Sequence, residues 1–381
     1  MWANVIGQER VKKIVRQALE SKMLPNAYLF TGPEGTGKDA VAIELAKALN
    51  CLDPAMNGVQ ACDKCENCRS IGSLASPNLH FLFAIGKEGE DSKKKDDDEP
   101  NEILDAIREE TGAKARDPYH NISIPKAIRI SVGQIRELIL LLSRSVIHGK
   151  RVVIISEADT MHPGAQNAFL KTLEEPHQNT LIILTSSNPS RLFPTILSRC
   201  QDIRFDMLSA SEITSALIER DNIDKDQAAF LGRLSGGSLS TARSFVSEDV
   251  AALRAEVVQF LLMGLSHNRR SALAEIDTFL PKRGGAFLKN RQNVEQILQL
   301  LELWLRDALA IASGAEKDVF NIDQLDYLQR FTKKFGSLPR IVEAIHFVEE
   351  AKRKVFLQLQ LRPVMLELVM NLEQALIPAS N

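Results

Sequence analysis

The chain has 381 residues, of which 44% are hydrophobic, 25% charged and 6% aromatic. That is room for two or three domains with cores of their own, and too apolar a composition for a disordered chain. Its 47 basic residues nearly cancel its 49 acidic ones, leaving a net charge of -2. This argues against a protein that holds nucleic acid mainly through a strongly basic field and leaves room for a local basic patch. No apolar stretch is long enough to span a bilayer, and the first ten residues lack the charged start and apolar core of a secretory signal. The expected compartment is the cytoplasm, with no membrane partner.

In chain order, the first chemical signature begins at a short buried strand expected over residues 27–31. It runs into Gly32-Pro33-Glu34-Gly35-Thr36-Gly37-Lys38, followed by a helix expected over 39–50. Those seven residues fit the start of G-x-x-x-x-G-K-[ST], in which loop amides and a helix N-terminus cradle phosphates while the lysine neutralises them. The phosphate-binding set is thus Gly32, Gly35, Thr36, Gly37, Lys38 and Asp39. The last is a departure, because the motif places there the hydroxyl that ligates magnesium. A carboxylate can approach a metal, but it also adds negative charge beside the phosphates. Binding of ATP or ADP is therefore left open.

Cys51, Cys62, Cys65 and Cys68 come next, spaced C-x10-C-x2-C-x2-C. Four thiolates at such intervals close a tetrahedral zinc site with no open position, so the expected Zn2+ is structural. An iron–sulfur cluster is the other metal group such a set takes, and free loop thiols are the plain alternative. Cys200 stands apart and reads as a small buried residue.

Between 87 and 99 every residue except Gly89 and Ser92 is charged, with both signs present. Such a run cannot build a packed core and reads as a solvated surface insertion. Further strands are expected over 151–156, 181–185 and 202–205, separated by helical sequence. Alternation of this kind gives a parallel sheet covered on both faces. In Arg151-Val152-Val153-Ile154-Ile155-Ser156-Glu157, the apolar strand ends at Ser156, where a nucleotide-hydrolysing site carries the Asp that supports the metal, and Glu157 could orient a water. With both metal-handling positions altered, independent ATP hydrolysis is not expected. Beyond 205 the pattern is helical. A small unit with a Gly236-Gly237 break covers 209–246, and the clearest later helices fall at 294–312, 337–356 and 361–376. The apolar stripe Leu298, Leu301, Trp304 and Leu305 reads as core.

Together these residues resemble the AAA+ subunits of the bacterial DNA polymerase III clamp loader. The resemblance is carried by Val5-Ile6-Gly7-Gln8-Glu9, Asn26-Ala27-Tyr28-Leu29-Phe30-Thr31-Gly32-Pro33, the four cysteines, the segment from Asn167 to Pro176, and Ser198-Arg199-Cys200. It covers about residues 1 to 205. It implies an α/β class: an AAA+ P-loop domain with a parallel sheet over 1–208, holding the four-cysteine module (51–68) and an insertion at about 86–125. A small helical lid (209–248) and a helical collar (249–381) would follow. Asp39, Ser156 and Ser240 all depart from the residues of ATP-hydrolysing motor subunits, and Arg243, one turn beyond Ser240, is a candidate substitute. The pattern is similar to the delta-prime branch of the family. That branch completes a heteropentamer with gamma/tau and delta subunits and helps load the sliding clamp at primer–template DNA. Polymerase activity would belong to the larger complex. The resemblance makes Arg199, at the end of a short helix over 194–198, an arginine presented in trans to a neighbour's γ-phosphate. It also places Ser187 and Asn188 at a polar phosphate sensor, and Ser131, Gly133 and Gln134, at a helix N-terminus, toward DNA; ordinary capping by Ser131 also explains that segment. The competing reading is a catalytically active motor subunit in which Asp39 and Glu157 manage the metal.

Overall fold

The computed structural model describes residues 2, 4–55, 58–85, 100–124, 127, 129–143, 149–175, 177–246, 250–265, 287–316, 319–321, 324–335, 337–356 and 359–377. The charged run at 87–99 lies outside them. Five strands, β1 (Ala27–Thr31), β2 (Leu79–Leu82), β3 (Arg151–Ile155), β4 (Thr180–Ser186) and β5 (Gln201–Arg204), form one parallel sheet in the order β2-β3-β4-β1-β5. β1, β3 and β4 are buried along their whole length, as strands covered on both faces must be. Alternation assigns the faces. Leu29, Val153, Ile155, Ile182 and Leu184 pack with Ile135, Leu138, Phe169 and Leu173 of the helices α5 (Val132–Leu142) and α6 (Pro163–Glu174). The opposite face is covered by α2 (Lys38–Asn50), which touches β3 and β4.

The sequence pattern anticipated four of these strands and missed β2. That strand sits at the sheet edge, is only partly buried and carries His80 among its apolar residues. In register, Thr31 of β1 lies beside Ser186 of β4 and Arg204 of β5, and Leu82 lies beside Ile155. The carboxyl ends therefore align, and the segments after β1, β3 and β4 leave the sheet on one side, where open α/β sheets bind ligands.

Around the sheet are α1 (Glu9–Glu20), α3 (Glu66–Gly72), α4 (Pro100–Arg116) and α7 (Pro194–Leu197). Helix α1 buries Val11, Val15 and Leu19, a four-residue repeat along one stripe. Three short helices follow β5: α8 (Ala210–Asp221), α9 (Lys225–Leu234) and α10 (Leu239–Ser244), with Gly236 and Gly237 in the turn between the last two, both at positive φ. The chain separates into two compact units, Met1–Ser244 and Phe245–Asn381. The second is helical: α11 (Val250–Gly264), α12 (Phe287–Ala312), α13 (Leu325–Phe335), α14 (Leu338–Phe356) and α15 (Leu361–Leu376). Leu298, Leu301, Trp304 and Leu305 of α12 are buried, and Trp304 meets Phe331 of α13 edge-on at 4.7 Å. The stripe is core. No helix among the described residues is long and apolar enough to cross a membrane.

Candidate functional site

The turn from β1 into α2 forms the phosphate loop, and the rest of its unit packs tightly around it. Gly35 holds φ at 71° and Gly37 at 96°, values that side chains rarely adopt. Space forbids a side chain too. A Cβ on Gly35 would run into the Ser238 and Ser240 hydroxyls at the start of α10, and one on Gly37 would lie 2.6 Å from the Tyr119 hydroxyl. The Leu239 amide donates to the Gly35 carbonyl at 3.2 Å. Thr36 is fully buried, and its hydroxyl donates to the Pro33 carbonyl at 2.8 Å. Gln8 donates from its amide to the carbonyls of Thr36 (3.2 Å) and Asp206 (2.7 Å), which gives the Val5-Ile6-Gly7-Gln8 segment its structural purpose.

Lys38, at the start of α2, donates to the carbonyls of Gly32 (2.7 Å) and Pro33 (2.6 Å) and to the Ser187 hydroxyl (3.2 Å). Burial holds its ammonium below the ordinary lysine value, against the opposing pull of Asp39, Glu34, Glu157 and Asp159. Next to it, Asp39 accepts hydrogen bonds from the hydroxyls of Ser156 (2.8 Å) and Thr185 (2.9 Å). Its carboxylate also lies 2.6 Å from the Lys114 ammonium, which is 5% exposed and donates to the His120 carbonyl at 2.9 Å. Burial alone would raise the Asp39 pKa, but Lys114 and the two hydroxyls overcome it and hold the group below the usual carboxylate range. The two altered metal-handling positions, 39 and 156, are thus in direct contact. Glu157 follows with a left-handed backbone, φ 50°, and its amide donates to the Thr185 hydroxyl.

Ser187 joins Lys38 as described, whereas Asn188 accepts from the Ser190 hydroxyl at 2.5 Å and its buried Nδ2 has no hydrogen-bond partner among the described residues. Ser240 bonds to Ser238 beside Gly35. Arg243 is bound elsewhere. Its guanidinium grips Asp221 at 2.9 and 3.1 Å and also pairs with Asp117, lining a polar cleft of about 590 Å³ with Asn4, Arg116 and Arg220. A sensor role for Arg243 would require breaking both pairs.

The four cysteines converge as their spacing implies. Their sulfurs all lie within 4.8 Å of one another, and Cys62 and Cys68 are 4.0 Å apart. Ligands about 2.3 Å from a central ion at tetrahedral angles would stand about 3.8 Å apart. Backbone amides of Cys62, Cys65 and Cys68 donate to the sulfurs of Cys51, Cys62 and Cys65. Burial opposes ionisation of Cys65, yet amides of Leu52 and Cys68 and the neighbouring thiols bring it down to about 6. The set suits a thiophilic metal ion. Lys47 of α2 pins the loop, reaching Glu44 at 2.5 Å and Asp63, between the cysteines, at 2.6 Å. Cys200 is half-buried, and burial pushes its thiol up to about 12.

Arg199 follows α7 on the surface, its side chain 32% exposed, paired with Glu174 at 2.6 Å and donating to the Thr195 carbonyl at 2.8 Å. Ser131 and Gln134 form a reciprocal capping box at the start of α5, and Gln134 also donates to the Phe83 carbonyl. Gly133 stands exposed beside them. Capping therefore occupies both polar side chains of the predicted DNA-facing segment. His162 likewise caps α6, accepting from the Gly164 amide.

The sequence reading missed Lys114 and Tyr119. The available signal for the first was Gly112-Ala113-Lys114-Ala115, small residues flanking one long cation on a helix face that approaches another element closely.

A sequence profile of the family described as "DNA polymerase III, delta subunit" matches residues 7–209. The chain is 28% identical over 367 residues to DNA polymerase III subunit delta' of Bacillus subtilis, an alignment covering 96% of each chain. It is 32% identical over 237 residues to the subunit of the same name in Pseudomonas aeruginosa, covering 61% of this chain and 60% of that one. To DNA polymerase III subunit tau of Bacillus subtilis it is 26% identical over 255 residues, covering 66% of this chain and 38% of tau.

Proposed function

This chain belongs to the DNA polymerase III delta subunit family, and on that premise we propose that it is a delta-prime-like clamp-loader subunit that does not itself hydrolyse ATP. In this reading it joins gamma/tau and delta subunits in a heteropentamer in the cytoplasm, and through that complex helps load the sliding clamp onto primer–template DNA. Residues 1–208, 209–248 and 249–381 serve as the P-loop domain, lid and collar.

The observation that carries the reading is the contact between Asp39 and Ser156. A hydrolysing P-loop site uses these two positions to place magnesium, and phosphoryl transfer depends on that charge. Here they are bonded to each other, and Lys114 holds a carboxylate oxygen. The same contact opposes the motor alternative, which needs Asp39 free to manage a metal. The subunit's contribution to hydrolysis is then Arg199. Its pair with Glu174 is an exposed one, worth about 0–1 kcal/mol, so handing the guanidinium to a neighbour's phosphate costs little. Structural zinc on Cys51, Cys62, Cys65 and Cys68 would shape the loop after α2; a closed four-thiolate site leaves no position for a bound water and supplies no catalysis.

The test is reconstitution with ATP-hydrolysing subunits of the same complex. Arg199→Ala should lower DNA-stimulated turnover at the adjoining site by 100-fold or more, an arginine finger being worth about 10³–10⁵. Lys38→Ala in this chain should leave that turnover unchanged. An unaffected rate in the Arg199 variant overturns the finger assignment. Turnover by the isolated chain that vanishes with Lys38→Ala establishes the motor reading instead.

A further inference from the structure

The AAA+ architecture implies magnesium with its nucleotide, and the residues present at the phosphate loop do not fit that ion. The mismatch has a definite form. Position 39, where the motif has a metal-ligating hydroxyl, is a carboxylate, and all three of its contacts come from this chain: the Ser156 hydroxyl, the Thr185 hydroxyl and the Lys114 ammonium. Asp39 and Ser156 are the positions between which a P-loop site holds its cation. The Lys114 contact brings a cation of its own. We propose that Lys114 is a tethered replacement for the divalent ion: α4 delivers an ammonium group to the cation position of the phosphate loop and keeps metal ions out of it.

Three observations support the assignment. The ammonium is anchored rather than wandering, because it donates to the His120 carbonyl as well as to Asp39 and is almost wholly buried. The local charge favours a cation there. Lys114 acts on both Asp39, which is held below the usual carboxylate range, and Glu34, whereas burial and its acidic neighbours push Glu157 up to about 8. The backbone around α4 is also fixed to the loop. Tyr119, just beyond the helix, packs on Gly37 and accepts a hydrogen bond from the Ile6 amide at 2.8 Å, so the segment bearing Lys114 is part of the loop's own wall. A tethered single charge differs from magnesium in two ways: it cannot dissociate, and it offers no coordination sphere for phosphate oxygens and water. The loop is then indifferent to magnesium by construction.

This inference rests on the non-hydrolysing reading of the loop but is tested without partners, so the two can fail separately. The experiment is Mn2+ binding to the full, zinc-loaded chain, read by electron paramagnetic resonance. Wild type and Lys114→Arg should bind no Mn2+ at the loop. Lys114→Met, which keeps the stem and removes the charge, should gain about one equivalent, and Lys114→Met with Asp39→Asn should lose it again. A wild-type site abolished by Asp39→Asn overturns the proposal, as does a folded Lys114→Met variant that gains no site. Wild-type binding of ATP, compared in magnesium and in chelator, gives a reading that needs no variant. No gain from magnesium is expected, and a tenfold or greater gain overturns the proposal. Failure of Arg199 in the reconstituted complex, with the Mn2+ results as expected, would remove the finger assignment and leave the tethered cation standing.

Discussion

Asp39→Ala should be one of the most damaging single substitutions in the 1–244 unit, although the residue caps no helix and fills no apolar core. The change removes the carboxylate that compensates a Lys114 side chain only 5% exposed, and strips the acceptor from two hydroxyls. Breaking a buried ion pair from one side costs about 3–5 kcal/mol, mostly the penalty of an unpaired buried charge. For a unit of this size that is a fall in Tm of about 6–20 °C. Lys114→Met together with Asp39→Ala should cost much less than the sum of the single changes, with a coupling of about 2–3 kcal/mol. The pH dependence has a fixed sign. The folded-state pKa of Asp39 lies below its ordinary 3.8, so its contribution is fully present above about pH 4 and is lost as pH falls through the lower folded value. The gap between wild type and Asp39→Ala should therefore be constant from pH 5 to 7, as order-of-magnitude limits, and narrow only in stronger acid. Urea unfolding of wild type, both single variants and the double variant reads all of this. Single changes costing under about 1 kcal/mol each, or adding without coupling, would refute the account of a compensated buried charge.

Two further substitutions and treatments probe other parts of the unit. Gly35→Ala forces a side chain into a left-handed backbone, at about 1–2 kcal/mol, and into the Ser238 and Ser240 hydroxyls; a lowered urea midpoint at unchanged slope is expected, and an unchanged midpoint would show that α10 does not seat on the loop. Purified protein should carry about one zinc per chain, measured by elemental analysis, and stripping it with chelator should lower Tm while Cys62→Ser abolishes the metal; metal-free protein of unaltered Tm would count against a structural ion.

What the sequence made legible was local. The phosphate loop, its preceding strand and the thiol spacing each lie within a short window, and the geometry follows from the window's own residues. Helix capping by Ser131 was legible for the same reason, while Gln134's part in a reciprocal box was not. What stayed hidden were partnerships across the chain. Lys114 and Asp39 meet from distant segments, and a lysine on a helix that follows a charged tract looks like any solvated surface cation until the tertiary fold buries it. Arg243 errs in the opposite direction. Its place near the expected sensor suggested a phosphate contact, but Asp117 and Asp221, acidic residues from elsewhere in the chain, hold it. Edge strand β2 was passed over although Phe81-Leu82-Phe83-Ala84-Ile85 is an apolar run, because it runs straight into the charged tract that drew the reading toward a surface insertion.

Helix α2 connects two kinds of chemistry that are otherwise unrelated. It begins at Lys38, inside the phosphate loop, and its C-cap is Cys51, the first thiol of the metal cluster; thirteen residues at about 1.5 Å each make it a rod of about 20 Å. Lys47, near the far end, ties that rod to the cysteine loop through Asp63. Oxidation of the thiols would therefore loosen the anchorage of a beam whose other end carries the loop.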